Sequence, residues 1–253
     1  MNQEEVKSVR RACAIVVHTL DFITSHVRPG ISTGKINDLC HEHIVKQEQA
    51  KPASLNYKGF PKSICTSINN VICHGIPRED RTLQSGDIVN IDIAVEKDGY
   101  YGDSSRMFCV GKVNPFALKL VEVTRQSLYE GIKKVKSGNT LGDVGAAIQE
   151  HAESAGFSVV YEYCGHGIGK EMHCPPQVLH YGTKGQGEIL EEGMCFTIEP
   201  MINAGSNATR LLGDKWTVVT KDGQLSAQWE HTLFINQQGE CEVLTLAENE
   251  TIT

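Results

Sequence analysis

The chain repeats itself, and the repeat limits what it can fold into more than any single motif does. The stretch VRPGISTGKI at 27–36 resembles VKSGNTLGDV at 135–144, with both glycines in register and an offset of 108 residues. Glu42-His43 recurs as Glu150-His151 at the same offset. Downstream, LQSGDIVNID at 83–92 resembles LEEGMCFTIE at 190–199, with an offset of 107. Two separated segments sharing nearly one offset point to a duplicated α+β unit of about 110 residues. No linker rich in Pro, Gly or Ser divides the copies. The expected organisation is therefore one fused domain, 1–253, with internal halves of roughly 1–112 and 113–253.

Each half reads as helices followed by strands. Apolar spacing predicts amphipathic helices over 3–27 and 115–136. Thr33 and Thr140 are the expected N-caps of a second helix in each half. Strands are expected over 64–68 and 88–95 in the first half, and over 159–163 and 195–200 in the second. Lys97-Asp98-Gly99-Tyr100 reads as a turn pairing 88–95 with 102–110. A second hairpin is expected around Lys221-Asp222-Gly223, joining 216–220 to 228–236. Runs of helices with antiparallel strands give an α+β fold, a sheet covered on one face by helices. His41 and His43 fall on a predicted helix and read as surface residues. The 182–187 segment, GTKGQG, reads as a turn rather than a phosphate loop.

The repeat places Asp92 and Glu199 at equivalent strand ends, each after an apolar run that tolerates a carboxylate poorly. Asp103 follows the first hairpin and can share a sheet face with Asp92. His166 lies between glycines in GHGIG, His173 seven residues on, Glu230 in SAQWEHT and His74 in CHGIP. Taken singly, each of these is an ordinary turn or strand end. Together, four carboxylates and one or more imidazoles would repel as bare anions, and divalent cations resolve that repulsion. Oxygen-rich ligands with one nitrogen suit Mn(II), Fe(II) or Co(II), with Zn(II) an option. Two such ions bridged by carboxylates form a hydrolytic centre.

Composition narrows the class. Net charge is −7, which argues against nucleic-acid binding. An odd count of 9 cysteines with no CxxC pair, and no leader or membrane-spanning run, points to reduced thiols and a cytoplasmic setting without membrane attachment.

NIDIA around Asp92, GDSS around Asp103, CGHGIGKEMH, TIEPM around Glu199, SAQWEHT around Glu230 and PKSICTSINNVICHGIP together closely resemble the type I methionine aminopeptidases. The resemblance runs in order along nearly the whole chain. It implies the pita-bread fold, whose internal pseudo-two-fold agrees with the repeat. It implies that Asp92 chelates one metal, that Asp103 and Glu230 bridge two, and that His166 and Glu199 bind the second. It also implies that a bridging hydroxide attacks the scissile carbonyl and that His173 steadies the oxyanion. His74 then contacts the amide nitrogen, and Glu199 shuttles a proton. Tyr57, Phe60, Cys65 and Trp216 match positions lining the methionine pocket, a setting suited to a thioether. Asn69, Val71 and Ser226 match a monovalent-cation site of some relatives. The implied substrate is the N-terminal methionine of nascent polypeptides whose second residue is small. Transient ribosome contact and a monomeric state are further expectations. Met172 and Ser54 depart from the commoner residues of the family and bear on the substrate walls. The rival readings are an Xaa-Pro aminopeptidase-like enzyme on the same fold and a non-catalytic pita-bread binding protein.

Overall fold

The structure is a computed structural model and describes residues 1–252. Its first half holds α1 (Gln3–Thr24), α2 (Thr33–Glu42), β1 (Lys51–Pro52), β2 (Cys65–Ile68), β3 (Val71–Cys73), β4 (Ile88–Lys97) and β5 (Tyr100–Cys109). The second holds α3 (Pro115–Ile132), α4 (Leu141–Ser154), β6 (Ser158–Val159), β7 (Gly165–Gly167), β8 (Cys174–Val178), β9 (Cys195–Ile198) and β10 (Met201–Asn203). It continues with β11 (Thr209–Leu211), β12 (Val218–Thr220), β13 (Ser226–Gln228), β14 (His231–Ile235) and β15 (Cys241–Val243).

The duplication is visible in the hydrogen bonds. Gly30 N donates to Leu83 O, and Gly138 N donates to Leu190 O. Thr33 N donates to Arg81 O, and Leu141 N to Glu188 O. In each half, then, the chain entering the second helix is tied to the turn that precedes the long or central strand.

Capping sets the helix starts. Asn2 and Glu5 close a reciprocal capping box on α1, as Thr140 and Asp143 do on α4. Ser32, not the expected Thr33, caps α2, its side chain accepting from Lys35 N. The first helix ends at Thr24, short of residue 27, where His26 N makes a tight three-residue bond to Ile23 O. The third helix ends at Ile132, short of 136, where Lys134 N and Val135 N make tight three-residue bonds to Gly131 O and Ile132 O.

Alternation along β4 creates two faces. Val89, Ile91, Ile93 and Val95 pack with Val16, Leu20 and Ile23 of α1 and Ile36 and Cys40 of α2. Asp92 and Ala94 point the other way and line a cavity. The same division applies to β5, where Gly102 lies against α1. A side chain there would meet the Cys13 backbone nitrogen at 2.5 Å, so only glycine lets helix and strand approach this closely. The second half repeats the plan, α3 and α4 packing on β9 and β14 through Leu128, Tyr129, Val144, Ile148, Phe196, Ile198 and Leu233.

Among the described residues the antiparallel strands fall into four hydrogen-bonded groups rather than one continuous ladder. β4 pairs with β5 along its length, and with β2 and β1 on its other edge. The second-half strands form the order β15-β14-β9-β7-β8. An isolated bridge between Ser105 and Glu230 joins the two halves.

Several expectations need correction. The 216–236 segment is not one hairpin: β12 pairs with β11 and β3, whereas β13 pairs with β10. Asp222 instead ties this turn to Ser206, whose backbone N–H donates to its carboxylate. The strand expected over 195–200 breaks after Ile198, because Pro200 cannot donate to a ladder. The strand expected over 159–163 shrinks to Ser158–Val159, leaving 160–163 as irregular chain. His41 and His43 are half-buried rather than on the surface: His41 Nδ1 lies 2.8 Å from Ser63 Oγ, and the His43 ring stacks on Phe22 at 4.5 Å.

Candidate metal centre

Strand register brings the first pair of carboxylates together. Asp92 sits opposite Ser105 and Asp103 opposite Ala94, so the two acids are diagonal neighbours on one face. The second pair sits where strands break. Glu199 follows Ile198, whose partner is His231, so Glu199 and Glu230 flank the last rung of the β9–β14 ladder. Glu230 N donates to Ser105 O, and Ser104 Oγ donates to Glu230 O. Asp103 N donates to Thr232 Oγ1, which in turn donates to Asp103 O.

His166 completes the cluster from the short strand β7. Its flanking glycines are required by space: a side chain at Gly165 would meet Thr197 O at 2.3 Å, and one at Gly167 would meet Pro175 O at 2.1 Å. His166 Nδ1 lies 3.1 Å from Gly167 O, which fixes the proton on that nitrogen and turns the lone pair of Nε2 inward. Nε2 is 3.6 Å from Glu199 Oε1 and 3.9 Å from Asp103 Oδ2. Ligand atoms of Asp103, His166 and Glu230 all lie within 4.8 Å of one another.

The electrostatics show a counter-charge to be missing from the protein groups alone. Burial, then the nearby carboxylates, pushes Asp103 and Glu230 well above the ordinary carboxylate range. Burial raises Asp92 to about 6, against hydrogen bonds from Cys65 and Asp103. Burial and the Asp92 charge raise Glu199 to about 8. Asp103 and Glu230 are 6% and 2% exposed, and Asp103 Oδ1 has no hydrogen-bond partner among the described residues. No lysine or arginine takes part in the salt bridges of this cluster. A set of buried acids with an unpartnered oxygen and an inward-facing imidazole nitrogen fits divalent cations.

Residues that pattern reading missed hold the ligands in place. Thr197 Oγ1 donates to Glu199 Oε1 and accepts from His166 N. Gln228 Nε2 donates to Glu199 Oε2. Both lie two residues before a cluster acid, the strand period that puts them on its face. His180, fully buried, accepts Glu199 N–H at Nε2; no spacing in the sequence announces it. Tyr163 was also missed, and its ring meets His74 edge-on at 5.9 Å.

Beside the cluster is a cavity of about 280 Å³. Tyr57, Phe60, Cys65 and Trp216 line it together with His74, His173, Asp92 and Asp103. Ser54 and Met172 are also in its wall. Phe60 and Trp216 meet edge-on at 5.2 Å, and His74 meets Trp216 at 6.0 Å. His173 stacks on Tyr57 at 5.1 Å and lies 4.1 Å from the His166 ring. Burial lowers His74; burial with the neighbouring His166, His74 and Lys58 lowers His173 to about 3, so both imidazoles are neutral at physiological pH. His74 has positive φ, +55°, a strained backbone held by the β3 turn. Asn69, Val71 and Ser226 also converge: Ser226 N donates to Asn69 O, and Val71 opens β3 beside β13.

All nine cysteines are unpaired, and no helix among the described residues is long and apolar enough to cross a membrane. Residues 7–237 match metallopeptidase family M24. A methionine aminopeptidase from Haemophilus influenzae is 51% identical over 249 residues, 98% of this chain and 92% of that protein. The crystal structure of methionine aminopeptidase from Rickettsia prowazekii superposes with a TM-score of 0.95 at 51% identity, covering 97% of this chain and 98% of the other. An Xaa-Pro dipeptidase from Bacillus anthracis shares the fold alone, with a TM-score of 0.77 at 22% identity, covering 98% of this chain and 62% of its own. The chain belongs to metallopeptidase family M24, within its methionine aminopeptidases.

Proposed function

We propose that this chain removes the N-terminal methionine from polypeptides whose second residue is small, using two divalent cations held by Asp92, Asp103, His166, Glu199 and Glu230. The observation that carries the reading is the buried cluster of acids and one imidazole opening directly onto an aromatic cavity. Asp103 and Glu230, placed between the two halves, would be shared by both ions; Asp92 would serve the first and His166 with Glu199 the second. Co(II), Mn(II) and Fe(II) suit this donor set, and Zn(II) can enter it.

Bound divalent cations supply Lewis acidity and the counter-charge that lets these acids ionise. The rest falls to the chain. Tyr57, Phe60, Cys65 and Trp216 take the methionine side chain, thioether against aromatic faces and thiol. Neutral His173 donates an N–H to the scissile carbonyl oxygen as charge develops there. His74, held by Trp216 and Tyr163, meets the amide nitrogen of the leaving chain. Glu199, steadied at both oxygens by Thr197 and Gln228, takes the proton lost by the water whose oxygen bonds to the scissile carbon and passes it to that nitrogen as the C–N bond breaks. Asn69, Val71 and Ser226 would offer a monovalent cation oxygen ligands near the His74 turn; a melting temperature that responds to potassium but not to a bulky organic cation supports that role.

The deciding assay is cleavage of Met-Ala-Ser by metal-loaded protein, with and without chelator, against an Xaa-Pro peptide. Release of free methionine that stops on chelation is expected. Preference for the proline bond would assign the substrate to the other branch of this fold. A protein that binds no divalent ion would be a non-catalytic member.

A further inference from the structure

A groove of about 490 Å³ lies beside β8, lined on its apolar part by Pro175, Pro176, Leu179 and Tyr181 and elsewhere by polar groups that include Gln177 and Glu188. β8 is the edge of its five-stranded sheet. Leu179 is 37% exposed, and Tyr161, 39% exposed, packs against Tyr181 at a tilt, with ring centroids 4.1 Å apart. Exposed apolar and aromatic side chains gathered at one groove often mark a site of contact.

Two separate routes connect this groove to the catalytic cleft. Along the chain, Pro175 is the second residue after His173. At about 3.3 Å per residue, Leu179 lies within about 20 Å of that imidazole. Across the surface, His74 touches Tyr163, and Tyr161 two residues earlier touches Tyr181. His173 and His74 are therefore each linked to the groove through a few residues, the first along the chain and the second through Tyr163 and Tyr161.

We propose that this groove receives the substrate polypeptide downstream of the cleavage site, about the fourth to seventh residues, and favours apolar or aromatic side chains there. The proposal rests on the reading of the cleft as an aminopeptidase site, because such an enzyme leaves a polypeptide emerging from between His74 and His173. The contact is made by side chains rather than by strand addition. Pro175 and Pro176 remove two backbone donors from the strand edge, which blunts it against pairing. The aromatic pair and Leu179 offer apolar surface without a fixed hydrogen-bond code, so many sequences can be accommodated.

The test compares kcat/KM for Met-Ala-Ser, for the same tripeptide extended by Leu-Tyr-Val-Leu-Lys, and for it extended by Ser-Gly-Ser-Gly-Lys, using metal-loaded protein. The apolar extension should be favoured over both others by about 5-fold, the scale of covering one or two exposed side chains. In Leu179→Ser combined with Tyr161→Ser that preference should fall below about two-fold, with tripeptide turnover unchanged and so reporting an intact fold and cleft. Equal kcat/KM for the three peptides in the unaltered protein, or an undiminished preference in the double variant, overturns the groove assignment alone. Failure of the unaltered protein to cleave Met-Ala-Ser overturns the reading of the cleft, and this one with it.

Discussion

Without divalent cations the proposed centre is four carboxyls facing one another, Asp103 and Glu230 buried and Asp92 and Glu199 half-buried, and the resulting loss of stability should depend on pH. Glu199 is raised from 4.5 to about 8 and Asp92 from 3.8 to about 6, with Asp103 and Glu230 raised further by burial and mutual repulsion. A carboxyl whose folded pKa is raised keeps its proton while the unfolded chain has lost it, so stability falls as pH rises towards the folded value. The histidines act in the opposite sense. His173 and His180 are lowered to about 3, so they make stability rise with pH until the unfolded imidazole titrates near 6.5. Above pH 7 that contribution is complete and the carboxyls dominate. Between pH 7 and 8, Glu199 alone accounts for about 1 kcal/mol, and every further retained proton adds up to about 1.4 kcal/mol. For a chain of this size each kcal/mol is about 2–4 °C in Tm. Thermal unfolding of chelated and metal-loaded protein at pH 7.0, 7.5 and 8.0 measures this, and the loaded sample cancels the shared contribution of buried thiols. The gap between the two melting temperatures should widen by at least about 2 °C over this range. A constant or narrowing gap would refute the claim that cations neutralise this cluster.

Asp103→Ala should abolish turnover and lower bound metal below two ions per chain; near-normal activity with full occupancy by elemental analysis would remove Asp103 from the ligand set. His173→Ala should lower kcat by about 10²–10³ with little change in KM, the pattern of a lost oxyanion donor. A KM effect alone would make it a binding residue. Thr197→Val, which keeps volume but removes the hydroxyl shared by Glu199 and His166, should weaken metal affinity or activity by about 10- to 100-fold. Unaltered metal titration and kinetics would show that those two hydrogen bonds are dispensable. Gly102→Ala should destabilise the fold by about 2 kcal/mol or more, read by urea unfolding, because the added carbon collides with the α1 backbone.

The duplication and the cluster acids were legible in the sequence because both depend on spacing. An offset near 108 fixed which strands correspond, and a period of two placed Asp92 and Asp103 on one face once the hairpin turn was recognised. Thr197 and Gln228 carried the same signal, two residues ahead of Glu199 and Glu230. His180 carried none: its contact with Glu199 N–H arises from packing of the segment after β8 under β9. The 216–236 region was misread because turn chemistry at Asp222-Gly223 reports that the chain reverses, not which strand it pairs with afterwards. The helix ends at Thr24 and Ile132 were overextended because apolar periodicity continues through residues that already leave the helix. His41 and His43 were misplaced because a predicted helix has a buried side as well as a wet one, and neither neighbour, Ser63 or Phe22, is close enough in sequence to say which.

The reciprocal bonds between Asp103 and Thr232 cross the line where one copy of the repeated unit meets the other. Under the proposed assignment that seam is also the floor of the metal site, so parting the copies would empty it. Damage anywhere along the join, even from the helix side at Gly102, should therefore surface first as an enzyme that releases its ions, well before the whole chain unravels.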